Sequence, residues 1–188
     1  MVPEQNPPGR RVVAIAGRTR SGKTTLTTTL ATELGWPSAS FSSYVRAEAR
    51  RRAIEENRRG LQDLGAQMIE TMGPRAFVEG MFENAGLTVV EHAPLLVEGV
   101  RHLTVLEALR EVSAPIPTHL VYLNVSDTER NRRLAGEGIS AREGEEWEEH
   151  STEQDVLHGL EGQADLVVDA DKPRDFVANT ALSGLARL

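Results

Sequence analysis

Val12-Val13-Ala14-Ile15-Ala16-Gly17-Arg18-Thr19-Arg20-Ser21-Gly22-Lys23-Thr24-Thr25 is the stretch on which the fold turns. A β-branched apolar run leads into G-R-T-R-S-G-K-T, which satisfies the phosphate-binding pattern G-x-x-x-x-G-K-[ST]. Two glycines let the backbone curl until several N–H groups point inward, and the helix that follows offers its positive end to an anion. In that setting Lys23 reaches the outer phosphates of a bound nucleotide and the Thr24 hydroxyl helps hold Mg²⁺. Gly17, Arg20, Ser21, Gly22 and Thr25 complete the expected phosphate contacts. The flanks agree: a strand precedes the loop, and Leu26, Leu30, Ala31 and Leu34 recur at helical spacing after it.

The rest of the chain is read outward from this loop. With 188 residues it has the length of one domain, long enough to bury a core without a metal or disulfide staple. It has no cysteine, which excludes a disulfide scaffold and thiol catalysis. A net charge of −7 argues against general affinity for nucleic acid, and no apolar run approaches a membrane span. Residues 1–10 are Pro-rich and read as a loose leader without signal-peptide character, so a soluble, cytoplasmic protein is expected. Nearly all the positive charge is arginine, Lys23 and Lys172 being the only lysines; a genome-wide arginine bias would produce the same pattern as selection for phosphate contacts.

Strand and helix signals alternate. Arg11–Ala16 reads as a strand buried on both faces, Ser38–Phe41 as a second, Leu95–Gly99 as a third, His119–Val125 as a fourth and Leu166–Asp169 as a fifth. Helices are expected over Thr24–Leu34, Tyr44–Arg59 (ended by Gly60), Leu61–Met72 (stopped by Gly73-Pro74), Arg75–Ala85, Leu103–Glu111, Asp127–Leu134 and Thr152–Glu161, with another opened by Pro173. This alternation implies an α/β fold, a parallel sheet with helices on both faces, whose ligands gather at the carboxyl ends of the strands. Gly17, Ser42-Ser43, Glu98 and Asn124 all fall at such ends.

Glu98 follows three apolar residues at the end of a strand, a place for an acid that holds magnesium or takes a proton; the plainer reading is an acid capping the next loop. Arg101, three residues on, can clamp a phosphate on the acceptor or be a solvated loop arginine. Arg46 opens onto the cleft from the first turn of its helix, whereas its neighbours Arg50, Arg51 and Arg52 interleave with Glu48, Glu55 and Glu56 as a solvated face does. Arg130, Arg132, Arg133 and Arg142 border the polar segment 135–150. Arginines on such a segment close over a transferring phosphoryl group; Arg130 and Arg133 are the catalytic candidates, with the choice between them open. Five histidines show no metal-ligand spacing, and His150 reads as part of a helix entry.

With these residues in hand, the chain resembles the P-loop kinases of the nucleoside monophosphate kinase and dephospho-CoA kinase type. The likeness lies in the phosphate loop, in Phe41-Ser-Ser-Tyr-Val-Arg46 where that group often has a Gly-Asp-x-x-Arg-like segment, in Val97-Glu98-Gly99-Val100-Arg101, in Asp127-Thr-Glu-Arg130-Asn-Arg-Arg133-Leu, and in Ala164-Asp165-Leu-Val-Val-Asp169. The resemblance implies a three-layer α/β/α fold with a five-stranded parallel sheet of order 2-3-1-4-5, one kinase domain over residues 11–188, an acceptor region at about 42–90 and an arginine-bearing lid at about 130–150. It also implies ATP and Mg²⁺ as cofactors, Thr24 and Glu98 as metal contacts, and Ser42, Arg46, Arg101 and Arg142 as contacts to a small acceptor; a homodimer is open. The acid that the group carries near Ser42-Ser43 is missing. A phosphate acceptor needs no base, so this absence, with Arg46 and Arg101, favours a nucleotide acceptor. The alternative is a hydroxyl of a nucleoside, CoA precursor or natural-product metabolite, with Glu98 as base. A third reading, a nucleotide-hydrolysing switch, lacks a recognition tetrapeptide of the N-K-x-D sort, Asn124-Val-Ser-Asp127 standing in its place.

Overall fold

The alternation of buried residues in the first strand sets the layers. In the computed structural model, which describes residues 9–140, 143 and 159–188, β1 (Val12–Gly17) is buried along its whole length. Val12, Ala14 and Ala16 belong to one hydrophobic core and Val13 and Ile15 to another, as the two-residue period of a strand requires. β1 is therefore central. It pairs in parallel with β3 (Leu95–Val100) on one side and with β4 (Thr118–Asn124) on the other; β2 (Ser38–Ser40) lies outside β3 and β5 (Leu166–Asp169) outside β4. The order β2-β3-β1-β4-β5 is the expected one.

On the face of Val13 and Ile15 pack α1 (Lys23–Leu34), through Leu26 and Leu30, and α7 (Arg174–Leu185), through Val177, Ala181 and Leu185. The opposite face takes α2 (Phe41–Arg51), α3 (Arg58–Ala85) and α5 (Leu103–Ser113), with Met68, Met81, Leu106 and Leu109 fully buried. Between these come α4 (Val89–His92) and α6 (Asp127–Gly136), the latter capped by the Ser126 side chain accepting from Glu129 N.

Two helix boundaries depart from the sequence reading. The helix expected over Tyr44–Arg59 begins at Phe41 and ends at Arg51; Ala53 then takes a left-handed φ of 52° and Ile54 N donates back to Ala49 O at 2.8 Å. A new helix starts because Asn57 caps it, its side chain accepting from Gly60 N at 2.8 Å, so Gly60 lies in a first turn and terminates nothing. The Arg/Glu periodicity across this break reflects charge and carries little apolar signal, which is why it reads as continuous. The two helices expected on either side of Gly73-Pro74 are both present: they run through α3, and the backbone leaves the helical region between them at Gly73 (φ 82°, ψ 158°), where the sequence places the stop. Most of the helix expected over 152–161 lies outside the described residues; Glu161–Gln163 form a 3-10 turn. Residues 1–8 of the leader are likewise outside them. Among the described residues, no helix is long and apolar enough to cross a membrane.

Candidate active site

Parallel strands bring their carboxyl ends to one edge of the sheet, and the phosphate loop opens there. Gly17 closes β1 at φ +144°; a Cβ at this position would lie 2.6 Å from Leu123 O and 2.8 Å from Ser21 Oγ, so only hydrogen fits. Arg20 (φ 66°) and Gly22 (φ 96°) take left-handed conformations either side of Ser21, backbone turning of the kind that makes an anion-binding concavity. Ser21 N donates to Arg18 O at 3.1 Å, while the buried Ser21 hydroxyl has no hydrogen-bond partner among the described residues. The Lys23 ammonium spans the loop, donating to Gly17 O at 2.7 Å and Arg18 O at 2.8 Å. Its pKa is held well below the usual lysine range, first by burial and then by Arg101, with Glu98 opposing and Arg58 and Arg20 adding to the depression. A buried hydroxyl in search of a partner, a crowded cation and a loop that only glycine can close together fit a polyphosphate.

Glu98 reaches this loop from β3. The β1–β3 register steps from Ile15↔Glu98 to Ala16↔Val100, so Gly99, at φ 90°, is an extra residue at the strand end. Glu98 Oε1 accepts from the Thr24 hydroxyl at 2.6 Å. Hydroxyl and carboxylate oxygens in contact beside a phosphate cradle suit Mg²⁺, which takes one or two protein oxygens and completes its shell with phosphates and water. Among the described residues no cluster of three or more His, Asp or Glu is placed to hold a metal by itself.

The cleft has a volume of about 1070 Å³, and its two ends differ. One is lined by Thr25, Thr29 and the stretch from Ala170 to Arg174 that follows β5. The other is walled by α2, α3 and α5, with Phe41 and Phe77 stacked at 5.2 Å between ring centroids. Ser42 and Arg46 line this second end from α2 and Arg101 lines it from the end of β3, so the structure brings these three together. Arg46 Nη1 lies 3.4 Å from Glu56 Oε2, an acid that Arg50 holds more closely at 2.7 Å. Arg101 is pushed down to about 10 by burial and by Arg58, with Glu98 opposing, and stays protonated at neutral pH.

The lid arginines separate into different roles. Arg130 is only 2% exposed and does not line the cleft; its Nη1 donates to Asn131 Oδ1 at 3.3 Å. Arg133 does line it, and ties three segments together by donating to Glu129 at 2.8 Å, Arg20 O at 3.0 Å and Ala170 O at 2.6 Å. Arg132, beside the same cleft, is held by Glu129 through two contacts of 2.6 Å. These bonds, those from Arg132 first, bring the Glu129 carboxyl down to about 2. The phosphate-loop arginines also meet α6 and its end, Arg18 pairing with Asp127 at 2.7 Å and Arg20 with Glu137 at 2.5 Å. Arg142, His150 and residues 144–149 lie outside the described residues.

One cleft residue escaped the sequence reading. Arg58, the first residue of α3, donates to the Thr19 hydroxyl of the phosphate loop. Its signal was available: Asn57 is an N-cap residue type, and reading it as a cap places Arg58 at the first position of a helix instead of mid-helix.

The chain matches the AAA domain family, AAA_18, over residues 13–156, a span that begins in β1 and takes in the phosphate loop, Glu98 and α6. The chain belongs to this AAA domain family. A UPF0200 protein of Thermococcus sibiricus is 23% identical over 129 residues, covering 69% of this chain and 67% of the relative. In the whole fold, this AAA domain protein is similar to a gluconokinase from Sinorhizobium meliloti 1021 (TM-score 0.60, 20% identity, 95% and 93% of the two chains). It is also similar to a shikimate kinase from Bacteroides thetaiotaomicron (TM-score 0.59, 18% identity, 96% and 100%). The AAA domain chain thus has the P-loop kinase fold.

Proposed function

We propose that the protein is a kinase of about residues 11–188 that passes the γ-phosphoryl group of ATP to a hydroxyl of a small acceptor. The observation that carries this reading is the position of Glu98. Its carboxylate bonds Thr24 of the phosphate loop at 2.6 Å and acts electrostatically on both Lys23, on the donor side, and Arg101, on the acceptor side. It stands where an acceptor hydroxyl has to arrive. The acceptor oxygen forms its bond to the γ-phosphorus as the bond from that phosphorus to the β,γ-bridging oxygen breaks; ADP leaves, and the hydroxyl proton passes to Glu98. Lys23 and the loop amides hold the donor phosphates, with Gly17, Ser21, Gly22 and Thr25 shaping the cradle. Thr24 and the Glu98 oxygen bonded to it would hold Mg²⁺, which would supply neutralisation of the phosphate charge, and the second Glu98 oxygen is the one left to take the proton. Arg132 and Arg133, already beside the cleft, and Arg142 close over the transferring group from a lid of about residues 130–150, while Ser42, Arg46 and Arg101 receive the acceptor in the region of about 42–90.

The structural neighbours include proteins named gluconokinase and shikimate kinase, and this supports the hydroxyl reading over the nucleotide phosphate acceptor expected from the missing acid at Ser42-Ser43. Glu98 takes over the task of that acid. The cysteine-free composition and the use of ATP support a cytoplasmic setting. Nothing in the structure or the relatives supports a homodimer. Incubation with γ-labelled ATP against two acceptor pools, hydroxy acids and sugars in one and nucleoside monophosphates in the other, tests the proposal. Label on a carbon-bound oxygen is the expected result; label found only in nucleoside diphosphates overturns it.

A further inference from the structure

The glycines of α3 are Gly60, Gly65, Gly73 and Gly80, and all but one have a reason inside the protein. A Cβ on Gly60 would press on Glu55 O at 3.0 Å, Gly73 has a left-handed φ of +82°, and a Cβ on Gly80 would run into the Tyr44 hydroxyl. Gly65 is the exception. Its φ is not positive, and among the described residues the nearest atom to a Cβ built there is Val45 Cγ2 at 3.6 Å, an ordinary van der Waals contact. An interior glycine weakens a helix relative to alanine, so this position carries a penalty that the packing of the protein does not explain.

Gly65 lines the cleft, and so do Leu61 and Ile69, one turn before and one turn after it. A spacing of four sets the three on one line of the helix face. Beside them the wall is apolar, formed by Phe41 and Val45 of α2, Phe77 of α3 and Val105 of α5, and Leu61 and Ile69 pack against the core that holds these four. The charged residue by which α3 lines the cleft, Arg58, donates to Thr19 of the phosphate loop and lies about 10 Å along the helix axis from Gly65.

We propose that Gly65 determines specificity: the bare backbone at this turn leaves room for the apolar body of the acceptor, so that the molecule phosphorylated is an alcohol carrying a compact hydrocarbon ring or branch away from its reacting hydroxyl. The inference rests on the kinase reading and sharpens it to a substrate class. The reacting hydroxyl has to meet Glu98 beside the phosphate loop, which leaves the rest of the molecule to run along α3 past Leu61 to Gly65. Hydrocarbon gains by burial against these side chains, whereas hydroxyls of a polyol would give up water there for methyl groups and ring faces. A methyl group at residue 65 would take the space of one methyl of the acceptor, and a loss of that size is enough to discriminate between substrates.

The test uses benzyl alcohol as probe and sorbitol as the polyol comparison, each titrated into the full chain without nucleotide and followed by NMR of isotope-labelled Val45 and Ile69 methyl groups. Saturable shifts of both residues are expected with benzyl alcohol and none with sorbitol. In Gly65→Ala the affinity for benzyl alcohol is expected to fall at least about tenfold. The same variant without ligand is expected to melt about 2–4 °C higher, since alanine strengthens the helix. Glu70→Ala, on the exposed face of α3, leaves the affinity unchanged. A glycine needed only for packing moves both readings downward together, so the opposite signs separate the two roles. Equal affinity in Gly65→Ala, a melting temperature that does not rise, failure of the variant to fold, absence of benzyl alcohol binding to the wild-type protein, or matching shifts from sorbitol each overturns the proposal. The kinase reading fails separately, in the labelled-ATP assay: no labelled acceptor there, with the benzyl alcohol results as expected, counts against that reading alone.

Discussion

The two ends of the cleft are built on different principles. The end proposed for the donor is one continuous stretch, Gly17 to Thr25, in which main-chain turning at Arg20 and Gly22 shapes the cradle and side chains only finish it. The end proposed for the acceptor has no such stretch. Ser42 and Arg46 come from α2, Arg58 from α3 and Arg101 from the end of β3, while the apolar wall draws on α2, α3 and α5. A backbone cradle binds whatever carries phosphates in the right order, and so suits a common donor. A surface assembled from separate elements changes with any of them, and so suits an acceptor peculiar to one enzyme.

Substitutions that act on one end and spare the other test this division. The largest effect is expected from Lys23→Ala. It removes the cation that spans Gly17 O and Arg18 O and lowers turnover by about 10²–10³ or more, with triphosphate affinity falling alongside. Equilibrium binding of a fluorescent ATP analogue, with circular dichroism to verify folding, reads the outcome; unchanged affinity in a folded variant would remove the donor end from the description.

Glu98→Gln lies at the boundary between the ends. Turnover is expected to drop by about 10² as the base is lost, with a change of less than about tenfold in ATP affinity, because the amide oxygen still accepts from Thr24. Equal losses in both quantities would make Glu98 a donor-side residue only, and the boundary would move.

The smallest effect is one of pH. Burial and neighbouring arginines lower the pKa of Lys23, so the ammonium is the form that loses ground as pH rises. An incoming triphosphate raises that pKa again. Affinity is therefore expected to fall as pH climbs through the depressed value, by up to about tenfold per unit, with protons taken up on binding in that range. Calorimetry in buffers of different ionisation enthalpy measures the uptake. Release of protons, or no exchange at all, would show that burial and the neighbouring arginines do not depress the Lys23 pKa in the free protein.

The legibility of the sequence follows the same division. The phosphate loop could be read because its constraints are local: Gly17 is required by Leu123 O at 2.6 Å from a hypothetical Cβ, and Gly22 by a left-handed φ. The sheet could be read because β-branched runs buried on both faces are short and bounded, and all five strands lie within a residue of their expected limits. Arg46 and Arg101 were visible through their neighbours in sequence. Arg58 was hidden by a charge pattern that runs across the break between α2 and α3, and the depth of Arg130 was hidden because arginine in a polar helix gives no sign that it is 2% exposed. Nothing local distinguishes the buried Arg130 from Arg132 and Arg133 beside the cleft.

What the chain determined by itself is therefore the backbone of the phosphate loop and the order of the layers, since both follow from dihedral requirements and apolar periods that span only a few residues. The tertiary structure alone decided which of the described arginines line the cleft together. Those side chains are brought together by the packing of α2, α3 and α5 on one face of the sheet, and residues so far apart in sequence share no local constraint that would disclose their meeting.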